Sequence, residues 1–498
     1  MKNVVATSSL LASVASAQVV QWDIQRREGA PVPRLGRRAN TVQEDIANNR
    51  TLGGYFATCT VGTPAQQLTL QLDTGSSDIW VPASSASVCE DTSQGGGCIF
   101  GSYDADSSST AVLINKEFDI SYVDGSGSRG DYIGETFGIG GIKLENMTMG
   151  YALDTDIPYG LVGVGYALNE ASISATQEIY DNLPIMMRNE GHINTVAYSL
   201  WLNDLDASKG NILFGGIDTD KYTGDLVRVS IDEDARADNF TSFQVRLTSV
   251  EAVSSSGNDS LTSTTFPIPV VLDSGTTFSY LPQDLAEEIW KEVGAEYTVV
   301  SNDGTGYPLL DCDLARSSGY FSFGFGGNGG PVIKVGMDEL VIPAGQIDGK
   351  DTCLFGIQNF SSDPFLLGDT FLRSAYVVYD LENNEIALAP TDFNATSSHV
   401  VAFPSQGATI PSSTPAPSQD AENSGPSTEP SYSASKGFSD LSSSNSGSGS
   451  SSGSGSSGGN GDSDSAASLT PALDLTQLAV MGGSMALMMF GGGAFLLF

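Results

Sequence analysis

Two short stretches of the chain place an aspartate in the same setting. Leu70-Gln71-Leu72-Asp73-Thr74-Gly75-Ser76-Ser77-Asp78-Ile79-Trp80-Val81-Pro82 is echoed in one register by Val270-Val271-Leu272-Asp273-Ser274-Gly275-Thr276-Thr277-Phe278-Ser279-Tyr280-Leu281-Pro282. Each aspartate follows an apolar run that predicts a strand, and each is followed by a glycine that lets the backbone turn and approach closely. The neighbouring hydroxyls (Thr74 and Ser76; Ser274 and Thr276) can donate hydrogen bonds to the carboxylates and fix their orientation. If the two copies face each other, the acids meet at a pseudo-two-fold axis. Like charges that close share one proton over an acidic range. The ionised acid then takes a proton from a bound water while the protonated one donates to a peptide carbonyl. Such hydrolysis needs neither a metal nor a cofactor.

Other chemistries find little support. The chain has 2 histidines, His192 in a turn-like stretch and His399 in a low-complexity tract. Neither is placed to activate a serine or cysteine nucleophile, and no metal-ligand spacing is present. The balance of 22 Lys+Arg against 59 Asp+Glu, a formal net charge of -37, repels phosphate backbones and excludes nucleic acid as a partner. It suits solubility in an acidic setting or attraction of basic substrates.

The elements that position the acids come from the internal repeat. An apolar pair before glycine follows each copy: Leu161-Val162-Gly163 after the first and Leu366-Leu367-Gly368 after the second. Two lobes of similar design are predicted, residues 39–217 and 218–393. Alternating polarity in 118–123, turn residues Asp124-Gly125-Ser126-Gly127, and a returning run 128–137 predict a β-hairpin. Five cysteines suggest two disulfides and one spare thiol. Cys89–Cys98 would close a Gly-rich loop and Cys312–Cys353 a longer one, leaving Cys59 as a small buried hydrophobe.

At these residues the chain resembles the pepsin-like aspartic proteases, with Thr60-Val61-Gly62-Thr63-Pro64, Phe214-Gly215-Gly216-Ile217-Asp218 and Leu367-Gly368-Asp369-Thr370-Phe371-Leu372-Arg373 adding to the likeness. The signal and stalk described below are similar to those of the fungal cell-surface branch, the yapsins and candidapepsin-like enzymes. The resemblance implies an all-β, mainly antiparallel, bilobal fold with a cleft between the lobes, and activity at acid pH. It implies that Tyr122 sits on a flap over the cleft, with Gly125 in its turn, and that Trp80 hydrogen-bonds that tyrosine. It also implies that Asp124 helps accept a basic residue beside the scissile bond, although Asp-Gly is equally a plain turn signal.

The ends predict processing. Residues 1–17 have a basic start, an apolar middle and an Ala15-Ser16-Ala17 exit, as a secretory signal does. Residues 18–38 carry Arg26-Arg27 and Arg37-Arg38 and are expected to be a pro-segment released at Arg38. Six Asn-x-Ser/Thr sequons, at Asn49, Asn146, Asn239, Asn258, Asn359 and Asn394, suit passage through a secretory pathway. Residues 394–469 collapse to Ser, Gly, Pro and Thr and predict a flexible stalk without a core. Residues 470–498 end in an apolar run with no basic flank, as expected of a glycosylphosphatidylinositol (GPI) attachment signal. The function expected is thus a monomeric, secreted, membrane-tethered aspartic endopeptidase acting on polypeptides. The competing reading is a wall-binding adhesion protein that reuses the fold; it would be inert towards a denatured protein at acid pH.

Overall fold

The computed structural model describes residues 19–27, 31–32, 48–49, 54–90, 97–123, 125–207, 209–235, 237–263, 265–299, 306–347, 350–419 and 430–440. The expected signal (1–17), the Arg37-Arg38 pair, Asp124, the Ser/Gly run and the terminal apolar segment lie outside the described residues.

Alternating and near-continuous apolar runs dictate strands, and strands dominate. A 14-stranded sheet runs through the molecule, and an 8-stranded sheet forms much of the second half. The two copies of the motif occupy equivalent places. Strand Gln66–Asp73 pairs in parallel with Leu161–Gly163, Gly163 standing opposite Asp73. Strand Ile268–Leu272 pairs in parallel with Phe365–Leu367, Leu367 opposite Leu272. In each copy the strand after the motif, Ile79–Pro82 or Ser279–Pro282, crosses antiparallel to that same short strand (Trp80 opposite Leu161, Tyr280 opposite Leu366). The apolar pair before glycine is therefore the piece clamped between the two arms of each motif. Burial on both faces explains why these segments are continuous apolar runs rather than alternating ones.

The halves are joined more intimately than a cut at residue 217 predicts. Ala375–Asp380 and Glu385–Pro390, late in the chain, belong to the 14-stranded sheet, Ala375–Asp380 pairing with Ala197–Trp201. Tyr198 and Tyr379 stack across that junction with ring centroids 5.0 Å apart. Part of the expected pro-segment is also built in. Val20–Arg27 lies between Lys209–Phe214 and Gly54–Val61, with Val20, Trp22 and Ile24 buried and the Trp22 indole donating to the Thr58 carbonyl at 2.8 Å.

Bonds between Cys89 and Cys98 and between Cys312 and Cys353 close both loops, and Cys59 is buried. The tract beyond Asn394 departs from expectation. A coreless stalk from 394 is corrected for residues 395–419 and 430–440, which pack on the body. Val400–Ala402 pairs with Gly216–Asp218, Ser413–Pro415 runs beside Leu226–Ser230, and Phe403, Ile410, Ala416 and Phe438 are buried. His399 is likewise no stalk residue: its ring Nδ1 lies 2.8 Å from Thr219 Oγ1 and its amide donates to Asp218. A few apolar side chains, widely spaced, seat on a surface the rest of the chain has already formed. They need no periodicity of their own.

Candidate active site

Each aspartate ends a buried strand and is gripped by its own turn. The amide of Gly75 donates to Asp73 Oδ1 at 2.8 Å, and the Ser76 hydroxyl donates to Oδ2. The second copy repeats this, with Gly275 N to Asp273 Oδ1 at 2.8 Å and Thr276 Oγ1 to Oδ2 at 2.6 Å. The residue between aspartate and glycine does a different job: it locks the halves together. Thr74 Oγ1 donates to the Leu272 carbonyl (2.9 Å) and Ser274 Oγ to the Leu72 carbonyl (3.1 Å). In return the Ser274 amide donates to Thr74 Oγ1 at 2.9 Å and the Thr74 amide to Ser274 Oγ at 3.2 Å. Four reciprocal bonds between elements so distant in sequence fix the mutual position of the two turns.

That lock brings the carboxylates face to face. A Cβ on Gly75 would fall 2.6 Å from Asp273 Oδ1, and one on Gly275 would fall 2.3 Å from Asp73 Oδ1. Only glycine admits the opposite acid so closely, so packing, and not a left-handed turn, requires the two motif glycines. Asp73 and Asp273 are both buried. Burial, then the facing Asp273 charge, raises the Asp73 carboxyl above the usual carboxylate range, against the bonds from Ser76 and Gly75. Two acids so placed can hold one proton in common, with one member ready to accept a proton and the other to donate.

The hairpin expected over the site is present. Val112–Ser121 and Gly127–Ile139 pair antiparallel, Ser121 opposite Gly127, and the tip turns through Gly125 at φ +75°. The Trp80 indole nitrogen donates to the Tyr122 hydroxyl at 2.6 Å, tying the hairpin to the strand that leaves the first motif. Behind them lies an apolar cluster of Phe56, Trp80, Phe118, Ile120, Tyr132 and Tyr159.

One motif residue carries more than its sequence revealed. Asp78 is fully buried and accepts from the hydroxyls of Tyr132 (3.0 Å) and Tyr180 (2.7 Å) and from the Ala171 amide (2.8 Å). Burial raises its carboxyl, and these bonds oppose the rise. Asp78 thus pins the flap strand and the segment after Gly163 to the strand bearing Trp80. The first signal for it was a charge at the head of the apolar run Ile79-Trp80-Val81, in the place where the second motif has Phe278.

Residues 54–391 match the eukaryotic aspartyl protease family. The chain belongs to that family. Among its relatives is "Probable aspartic-type endopeptidase OPSB" of Trichophyton verrucosum, 40% identical over 80% of this chain and 81% of that protein. The "Acid protease" of Saccharomycopsis fibuligera is 38% identical over 72% of this chain and 86% of its own length. "Secreted aspartic protease 3" of Candida albicans is 36% identical, with 74% and 86% covered. The protein is an aspartic-type endopeptidase, and as in any protease its substrates are polypeptides. Its matched region ends at residue 391, so the packed residues 395–419 and 430–440 lie beyond the family's shared body.

Proposed function

We propose that Asp73 and Asp273 are the catalytic pair of this aspartic protease and that they activate one water between them. The lock of Thr74 and Ser274, which holds the carboxylates face to face across Gly75 and Gly275, is the observation that carries this reading. The ionised acid takes a proton from the water, whose oxygen attacks the peptide carbon. The protonated acid donates to the carbonyl oxygen, giving a tetrahedral diol without a covalent enzyme intermediate. Proton return to the amine then breaks the C–N bond. Tyr122 closes over the substrate, held by Trp80. Because one proton must reside on the pair, activity belongs to acid pH. A basic residue beside the scissile bond is favoured by the overall acidity and by Asp124.

The enzyme is further proposed to be secreted, glycosylated at its sequons, freed of residues 18–38 and held at the cell surface by a GPI anchor as a monomer. Asn146, Asn239, Asn258 and Asn394 are exposed and Asn359 is half-buried. Built into the sheet as it is, Val20–Arg27 leaves only when another strand or solvent takes its place, so cutting at Arg38 and releasing the segment are separate events. The deciding experiment is pepstatin-sensitive cleavage of an acid-denatured protein by the purified chain, lost in Asp273→Asn. An inert wild-type protein overturns the reading.

A further inference from the structure

Beyond the family's shared body, residues 431–440 return to the second lobe and seat on the hairpin Gln244–Ser254/Gly257–Ser260, the strand Tyr320–Phe325 and the helix Gln283–Val293. Phe438 is buried and stacks on Phe321 with centroids 5.4 Å apart and planes 19° from parallel. The polar half of the contact converges on one buried carboxylate. Asp259 accepts from the Ser431 amide (3.2 Å) and hydroxyl, from Ser433 Oγ (3.1 Å) and from the Ala434 amide (2.8 Å). Ser256 Oγ donates to the Ser433 carbonyl at 2.6 Å and accepts from the Gly437 amide at 2.9 Å. The Tyr432 hydroxyl donates to Glu288 on the helix.

Next to Asp259 the helix presents Glu292, 1% exposed, which can hydrogen-bond the Asp259 carboxylate only when it carries a proton, its side-chain oxygens having no other protein partner. A second buried carboxylate beside a first is tolerated only while it holds a proton. We propose that this surface is a docking site for residues 431–440 of the same chain and that Glu292 gates it, the segment being docked at acid pH and released as the pH rises towards neutral.

The other charged groups around the contact leave Glu292 as the sensor. Burial raises Asp259, but its bonds from Ser431, Ala434 and Ser433 outweigh that and hold it below the usual range. Glu288 is likewise held low, its burial outweighed by bonds from Lys291 and Tyr432. Lys436 is the one cation on the docked turn. Of the three carboxyls Asp259, Glu288 and Glu292, only Glu292 is pushed up, to about 7, by its burial and then by the Asp259 charge. Undocking admits water and returns it towards an ordinary glutamate, near 4.5. A carboxyl that holds its proton more tightly when docked favours docking fully below the free value. That support declines as pH rises and is gone above the docked value. The window is therefore about pH 4.5 to 7. Release frees 10 residues of chain, about 33 Å when extended at ~3.3 Å each. If the protein is anchored as proposed, its tether lengthens by that reach.

Hydrogen exchange of peptides covering 430–440 in the intact purified chain, corrected for intrinsic exchange, tests this between pH 4.5 and 9. Protection is expected to fall by about tenfold to a hundredfold as pH rises and to level off above about 7. Glu292→Gln should hold the acid-pH protection to within about threefold across the range, and Asp259→Asn should lower it even at pH 5. Unchanged protection in the wild type overturns the proposal, as does an equal loss in Glu292→Gln. If that variant does not fold, the wild-type titration decides alone: no levelling near 7 overturns it. The readout involves no proteolytic activity, so its failure is distinct from failure of the catalytic reading.

Discussion

The two motif copies agree in everything that touches the acids and differ in what lies one step behind. Around Asp73 and Asp273 the amide bond, the hydroxyl bond and the cross-lobe lock recur atom for atom. Five residues after each aspartate the likeness ends. The first copy has Asp78, bonded to Tyr132 and Tyr180, then Trp80 bonded to Tyr122 on the flap. The second has Phe278, packed with Tyr307, Leu309, Ile342 and Leu354, followed by the helix Gln283–Val293. On the proposed mechanism, symmetry is kept where equivalent acids share one proton. It is given up where one lobe carries the proposed lid and the other a packed support.

The symmetric part should break most severely. Asp73→Asn and Asp273→Asn should each lower kcat by about a thousandfold or more at unchanged fold, and the double variant should be little worse than either. Single-turnover assays at acid pH with a fluorogenic peptide check this; a strongly unequal pair would show that the acids are not equivalent. The lock should also cost stability. Thr74→Ala or Ser274→Ala strands buried partners and should lower unfolding free energy by about 1–3 kcal/mol each, read from urea melts.

Next come effects confined to one copy. Tyr122→Phe removes the hydroxyl that accepts from Trp80 and should reduce kcat/KM by about fivefold to tenfold, the equivalent of ~1 kcal/mol, with little change in melting temperature. Phe278→Leu should do the reverse, costing about 1–2 kcal/mol of stability and leaving kcat/KM nearly alone. Were both variants to damage the same quantity, the proposed division between lid and support would fail. The disulfides extend the contrast. Cys89–Cys98 spans 9 residues and Cys312–Cys353 spans 41, so loop entropy gives about 2.7 and about 3.9 kcal/mol. Removing the second pair should therefore destabilise more, by about 1 kcal/mol.

How much of this the sequence disclosed depends on the reach of each interaction. The acids, their glycines and their hydroxyls lie within four residues of one another, so spacing alone exposed them, and duplication fixed their partnership. The two cysteine pairs and the flap hairpin were legible for the same reason: loop length and turn chemistry are local. Asp78 was not, because its partners Tyr132 and Tyr180 stand 54 and 102 residues away. The tract beyond residue 394 misled outright over residues 395–419 and 430–440. Its composition denies a core of its own, yet Phe403, Ile410 and Phe438 needed only a neighbour's surface. Low apolar density shows that a segment cannot fold alone, and nothing about whether it folds onto something else.

The subtlest effect expected concerns the network behind Trp80. Glu170 lies beside Asp78, buried, with one oxygen accepting from the Tyr180 amide at 3.0 Å and the other without a protein partner. Burial raises its carboxyl to about 9; the Tyr180 bond opposes that rise, while the Asp78 charge adds to it. The folded state therefore binds a proton that the unfolded chain has lost. Stability from this group is complete below about 4.5, declines as pH rises, and is exhausted above about 9. In Glu170→Gln the uncharged amide replaces the neutral acid at nearly equal size. Melting temperature should then match the wild type at pH 4.5 and fall less steeply towards pH 8. Because the strain develops only behind the first motif, the flap side should loosen first, so the Trp80–Tyr122 contact should weaken before the carboxylate lock does. A variant whose melting curve tracks the wild type across the whole range would remove Glu170 from that network and leave Asp78 as its sole buried charge.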